Sequence, residues 1–188
     1  MKLKDIIIDK TWTLFLDRDG VINLLYPSDY VKKWSEFYFL EGVLDALKTL
    51  SGVFRRIIIV TNQQGVGKGL MSQADLDFIH AEMLKEIKKY GGRIHAIYSA
   101  NMLVKDDINQ MRKPGIGMAK KAKRDFPEID FAKSIMIGDS VTDMQFGRTL
   151  GMVTVYIGEA NRLTDEQKTY IDNYCESLAE ASYALTGS

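Results

Sequence analysis

Apolar and polar positions along this chain fall into two rhythms that take turns. Blocks that are apolar at nearly every position occur at 12–16, 57–60, 94–98, 134–137 and 153–157, and each predicts a strand buried on both faces. Between them runs helical spacing. Val43, Leu44, Leu47 and Leu50 mark one helix; Leu76, Ile79, Met83 and Ile87 line the inner face of another. That second helix opens at Ser72 with Ser-x-x-Asp, a capping box, and carries Lys88, Lys89 and Arg93 towards its end, where the helix dipole favours cations. Pro114 suits a first helical position, and Met118, Ala122 and Phe126 give the helix after it an apolar side. A further helix spans 140–150. After Gly158 the signal weakens to a short helix beyond Thr164 and another over 177–185.

Strand and helix in alternation predict an α/β fold, a doubly wound parallel sheet in three layers. In such sheets ligands sit outside the carboxyl ends of the strands, here just after Leu16, Val60, Tyr98 and Ile137.

Composition narrows the field. The 188 residues read as one domain over 1–188, with a core of about 11–157 and a C-terminal helical extension of about 163–186. Lys+Arg and Asp+Glu both number 25, so no net field draws the chain to nucleic acid or an anionic membrane. Cys175 stands alone, which excludes an internal disulfide and any multi-cysteine metal site. No apolar run is long enough to span a membrane, and the N-terminal Met-Lys-Leu-Lys-Asp-Ile-Ile-Ile-Asp lacks a signal-peptide core, so a cytoplasmic protein is expected.

Three of the four strand ends carry reactive groups. After the first comes Asp17-Arg18-Asp19-Gly20-Val21; after the second, Thr61-Asn62-Gln63-Gln64-Gly65; after the fourth, Gly138-Asp139-Ser140-Val141-Thr142-Asp143. The third is followed by a long polar loop that ends in Arg112-Lys113-Pro114. Each has an ordinary explanation. Asp-x-Asp often marks a solvated turn, Thr-Asn-Gln is turn chemistry, and a lysine before proline is commonly solvated. Asp143 fits a helix cap with Ser140. Gly65, Gly67 and Gly69 do not have dinucleotide-binding spacing, His80 reads as a rim residue, and His95 as a strand residue. Their joint placement decides the matter, because unrelated turns would not set acid, hydroxyl, base and acid at successive ends of one sheet.

Carboxylates that share a pocket repel unless a divalent cation lies between them, and an all-oxygen site favours Mg²⁺. An aspartate, already ionised at neutral pH, can act as a nucleophile without a base. Its difficulty is attacking an anionic phosphate: two unit charges 4 Å apart interact by ~4 kcal/mol at an effective dielectric near 20. A metal ion, a lysine, a hydroxyl and backbone N–H groups supply the compensation that phosphoryl transfer needs.

These four motifs, in this order, resemble those of the haloacid dehalogenase superfamily of phosphatases over about 11–155. The segments 17–23, 61–66, 112–114 and 138–144 are similar to the group of heptose bisphosphate and histidinol phosphatases, and Phe39-Leu40-Glu41-Gly42-Val43 tilts towards the heptose side. The resemblance implies Asp17 as nucleophile and Asp19 as acid/base, with Thr61 and Lys113 on the transferred phosphoryl group. Asp17, the Asp19 carbonyl and Asp139 would bind Mg²⁺. Arg112, Asn62 and Asn23 would meet substrate, with Asp143 and Ser140 supporting, and no large cap is expected. The substrate class implied is a small phosphorylated sugar, most of all D-glycero-D-manno-heptose 1,7-bisphosphate; separately, the chain is expected to be a monomer. Histidinol phosphate is the enzymatic alternative. A receiver-type signalling module would place its aspartate on a later strand.

Two departures stand out. Relatives usually carry a zinc-binding Cys-x-His…Cys-x-Cys loop, whereas the matching places here are Ala100, Met102, Asn109 and Met111, so zinc is not expected. Ser140 stands where heptose enzymes tend to have lysine.

Overall fold

The structure, a computed structural model, describes residues 3–187. Its six strands are β1 (Thr13–Leu16), β2 (Arg56–Asn62), β3 (Ala96–Ala100), β4 (Ser134–Gly138), β5 (Val153–Ile157) and β6 (Asn173–Cys175). Its helices are α1 (Val43–Val53), α2 (Gln64–Gly67), α3 (Gln73–Lys89), α4 (Gly117–Asp125), α5 (Val141–Thr149), α6 (Asp165–Lys168) and α7 (Leu178–Thr186). The strands form one parallel sheet in the order β3-β2-β1-β4-β5-β6, with β1 pairing β2 on one side and β4 on the other.

Because side chains alternate across a strand, the apolar blocks serve both faces. Leu14, Leu16, Ile57, Ile59, Ile135 and Ile137 pack with Leu47 and Leu50 of α1 and with Leu76, Ile79 and Met83 of α3. Phe15, Ile58, Val60 and Met136 pack on the other face with Met118 and Ala122 of α4 and Phe146 of α5. The fold class is the one the sequence implied. No helix among the described residues is long and apolar enough to cross a membrane.

Local differences have physical causes. β3 begins two residues later than its hydrophobic block, because the His95 ring accepts the Ile57 N–H at Nδ1 (3.0 Å) and takes that place in the ladder from a backbone carbonyl. Pro114 lies outside α4: the chain turns first, with Gly115 N–H donating to the Arg112 carbonyl (2.8 Å), and the helix starts at Gly117. The segment after Leu163 is more than a helical extension. It supplies β6 at the sheet edge, and Leu178, Ala181 and Leu185 of α7 join the core that α1 covers.

Candidate active site

The site lies where the parallel register delivers β1, β2 and β4 side by side. Leu16 aligns with Ile59 and with Ile137, so the residues after each strand emerge at one rim. Asp17 N–H donates to the Ile137 carbonyl (3.0 Å) and extends the pairing by one step. Gly20 then turns the chain with φ +81°, a conformation that favours glycine, and a Cβ at that position would collide with the Asp139 carboxylate. The turn therefore brings the β1 loop directly against the β4 loop.

Lys113 holds the centre. Its side chain is 1% exposed, and Nζ lies 2.9 Å from Asp17 Oδ1 and 2.5 Å from Asp143 Oδ1, with a third contact to the Val60 carbonyl (2.7 Å). Burial alone would lower the lysine pKa, but Asp143 and Asp17 outweigh it and raise it, so the ammonium form persists. Its backbone is held by Asn62, whose Oδ1 accepts the Lys113 N–H (3.0 Å) and whose Nδ2 donates to the Lys113 carbonyl (3.3 Å). Asp143 does both things that its sequence allowed. Oδ2 accepts from the Ser140 N–H and hydroxyl in a capping box, which leaves Oδ1 for Lys113.

Asp17, Asp139 and Asp143 each offer an oxygen within 4.8 Å of the others. Burial, then the charge of Asp143, pushes the Asp17 carboxyl up to about 8, against the pull of Lys113. The same two causes push Asp139 up to about 7. One lysine is too little positive charge for this cluster. An excess of buried carboxylate oxygens with no softer ligand beside them fits a hard divalent cation such as Mg²⁺. The Asp19 side chain is not part of the cluster.

Asp19 instead sits in a basic and amide clamp. Arg18, fully buried, donates through Nη2 to both Asp19 oxygens (2.9 and 3.0 Å) and lies 3.0 Å through Nη1 from His80 Nε2. Asn23 Nδ2 donates to Asp19 Oδ1 (2.9 Å), and Gln63 Nε2 donates to Asp19 Oδ2 (2.6 Å) and to the Thr61 hydroxyl (2.9 Å). Burial opposes ionisation of Asp19, but Arg18 and the amides outweigh it and hold the carboxyl below its ordinary range. Asn23 is wholly buried, with its amide directed to Asp19 and the Leu24 carbonyl, so it is placed to orient Asp19 and not to touch a ligand.

A cleft of about 250 Å³ opens over these groups. Asp17, Asp19, Thr61, Asn62, Arg112, Asp139 and Ser140 line it from the strand ends, and Leu25, Tyr26, Asp29 and Tyr30 from the loop that follows β1. Every sequence candidate except Asn23, Lys113 and Asp143 reaches this cleft, and the latter two lie directly beneath Asp17. Arg18 and Gln63 carry no functional signal of their own in the sequence, and His80 reads there as a rim residue. His80 was legible, since it lies four residues after Leu76 on the inner face of α3. It is 8% exposed and its pKa falls to about 4 through burial and the neighbouring Arg18, so it is a neutral support and no rim residue.

Known proteins resemble the chain along most of its length. The family model described as polynucleotide kinase 3 phosphatase matches residues 16–174. The chain is 37% identical over 139 residues to the D-glycero-α-D-manno-heptose-1,7-bisphosphate 7-phosphatase of Mycobacterium tuberculosis, covering 74% of this chain and 73% of that one. With the D-glycero-β-D-manno-heptose-1,7-bisphosphate 7-phosphatase of Escherichia coli K12 it shares 30% identity over 179 residues, 92% of both chains. Among solved structures, the D,D-heptose 1,7-bisphosphate phosphatase of B. bronchiseptica, complexed with magnesium and phosphate, superposes with a TM-score of 0.82 at 30% identity, over 93% of this chain and 97% of that one. The corresponding phosphatase of Burkholderia thailandensis gives a TM-score of 0.64 at 27% identity, over 94% and 99%. The chain is a phosphoric monoester hydrolase of the haloacid dehalogenase superfamily and belongs to the polynucleotide kinase 3 phosphatase family within it.

Proposed function

We propose that the enzyme hydrolyses a phosphate monoester of a small bisphosphorylated sugar, D-glycero-D-manno-heptose 1,7-bisphosphate, through a phosphorylated Asp17 and with Mg²⁺. The observation that carries the reading is Lys113 fixed between Asp17 and Asp143 just beneath a cleft that Asp17 and Arg112 both line. One cation then serves the transferred phosphoryl group, while another waits at the sugar end. Relatives named for this substrate support the choice.

In the first half-reaction an Asp17 oxygen attacks phosphorus, the P–O bond to the sugar breaks, and Asp19 gives its proton to the leaving oxygen. In the second, Asp19 takes a proton from water, the resulting hydroxide attacks phosphorus, and Asp17 is released with inorganic phosphate. The clamp on Asp19 suits the base of the second step. The arrival of an anionic phosphoryl group raises its proton affinity for the first. Thr61, in the cleft wall, holds a phosphoryl oxygen, and Lys113, beneath the cleft, supplies positive charge through its contacts to Asp17 and Asp143. Asp17, Asp139 and the Asp19 main-chain carbonyl would hold Mg²⁺, since the Asp19 side chain is taken by Arg18. Bound there, Mg²⁺ supplies the charge that offsets repulsion between the carboxylates and the phosphate.

Phosphate release from the bisphosphate and from histidinol phosphate, each with Mg²⁺ and with EDTA, tests this reading. The bisphosphate is expected to be the better substrate by kcat/KM, and EDTA to abolish turnover until Mg²⁺ is restored. Preference for histidinol phosphate would replace the substrate, and full activity in EDTA would remove the metal. Because Asp17 and Asp139 have pKa values raised to about 8 and about 7, Mg²⁺ must displace protons from them at lower pH. The half-saturating Mg²⁺ concentration is therefore expected to fall as pH rises from 6 to 8.

Gly20→Ala provides a geometric check. The positive φ alone costs about 1–2 kcal/mol in a residue with a Cβ, and the new methyl must move Asp139 off its present position. We expect a weakened response to Mg²⁺ together with a lower Tm. Wild-type Mg²⁺ dependence in this variant would show that Asp139 does not hold the ion.

A further inference from the structure

The loop between β3 and α4 delivers Arg112 and Lys113 to the site, yet the places of the zinc ligands carried by relatives do not fit a metal here. Ala100 ends β3 wholly buried, and Met102 and Met111 pack against the core. Something else must order the chain before Arg112. The first part of the loop is tied to its neighbours: the Asn101 carbonyl accepts the Gly67 N–H (2.8 Å), and its side chain donates to Gln73 Oε1 (2.6 Å). In the last part, backbone bonds from the Gln110 N–H to the Asp107 carbonyl (3.2 Å) and from the Gly117 N–H to the Gln110 carbonyl (2.8 Å) are joined by one side chain of the loop. Asp107 Oδ1 accepts the Met111 N–H (2.7 Å) and Oδ2 accepts the Arg112 N–H (2.8 Å). Both oxygens of one half-buried carboxylate thus hold two consecutive amides, and the chain between bends back through Gln110 at φ +51°.

We propose that Asp107 is the positioning residue for Arg112, holding by two charge-assisted hydrogen bonds the segment that relatives fasten with zinc. This rests on the proposed role of Arg112 at the sugar end of the substrate. The division of labour is visible in the backbone. Asn62 fixes Lys113 from the β2 side and Asp107 fixes Arg112 from the loop side, so each catalytic or binding cation has its own anchor. Such bonds to an ionised acceptor are about twice as strong as neutral ones. Displacing a binding group by about 1 Å can cost up to ~100-fold. Arg112 lines the cleft, and no ion pair among the described residues holds its side chain, so its backbone is its fixed point.

The test compares wild type, Asp107→Ala, Asp107→Asn, Arg112→Ala and the Asp107→Ala/Arg112→Ala double variant on the heptose bisphosphate and on an aryl phosphate. Asp107→Ala is expected to raise KM for the bisphosphate by about 10- to 100-fold while kcat stays within a few-fold. Its turnover of the aryl phosphate, which has no sugar end to hold, should stay near wild type and so report an intact fold. Asp107→Asn keeps one acceptor oxygen and should lie between. The double variant should be no worse than Arg112→Ala, because two residues acting through one contact do not add. Unchanged KM in Asp107→Ala beside a raised KM in Arg112→Ala would overturn the proposal alone. So would losses that multiply in the double variant, or an equal loss on both substrates. Unchanged KM in Arg112→Ala would overturn the role of Arg112 and this proposal with it.

Discussion

Asp17→Asn is expected to reduce phosphate release by several orders of magnitude while leaving the protein folded. The substitution keeps the shape of the side chain and removes its charge, so nothing remains to form the bond to phosphorus. The fold should not suffer, because Asp17 is a costly group in the absence of bound cation. Its pKa is raised to about 8, so between the unfolded value of 3.8 and about 8 the folded protein binds more protons than the unfolded chain. Stability from this group therefore falls as pH rises through that window. A neutral amide in its place carries no such penalty, and the Tm of the variant at pH 8 without Mg²⁺ should equal or exceed that of wild type. Rapid phosphate release by this variant would exclude covalent catalysis at Asp17. A Tm far below wild type would show that the ion pair with Lys113 stabilises more than burial of the carboxylate costs.

Lys113→Met should be damaging in both respects. Lys113 is 2% exposed and compensates Asp17 and Asp143, the latter fully buried. Removing one partner of a buried ion pair typically costs about 3–5 kcal/mol, since the charge left behind has no partner. The methionine fills the volume, so the loss measures charge and not a cavity. It also has a pH signature. Near pH 5, Asp17 and Asp139 are largely protonated and the missing ammonium matters less; near pH 8 they ionise and it matters most. Urea unfolding of wild type and variant at the two values, without Mg²⁺, is expected to show the larger difference at pH 8. A pH-independent difference below about 1 kcal/mol would mean that the cluster is compensated elsewhere.

The parts legible in the sequence were those with a local signature. Ile57 to Val60 announced a strand by being apolar throughout, and Ser72 and Ser140 announced helix starts through capping boxes that the structure contains. The groups at the strand ends followed, because a parallel sheet gathers whatever follows its strands. The features without a local signature depend on tertiary partners. β6 is three residues, Asn-Tyr-Cys, with no periodicity, and it is a strand because β5 offers an edge. Asp107 has no signal of its own along the chain, and only the return of the chain at Gln110 brings two amides onto it. Arg18 looks like a spacer between two aspartates. Its burial beside His80 comes from the packing of α3 against the sheet, which no spacing along β1 can indicate.

The central position of β1 also governs when the enzyme can become an enzyme. Thr13 pairs with Arg56 on one side and with Ser134 on the other, so the strand that leads into Asp17 leaves the ribosome before either neighbour exists. Asp139 and Asp143 follow β4, which means that a nascent chain lacks the second half of its carboxylate cluster until most of its length has been made. Pairings this distant in sequence form slowly, because loop closure must come first. During refolding, helical signal from α1 and α3 should therefore return early. Phosphatase activity should lag behind it and appear with the closing of β4 onto β1.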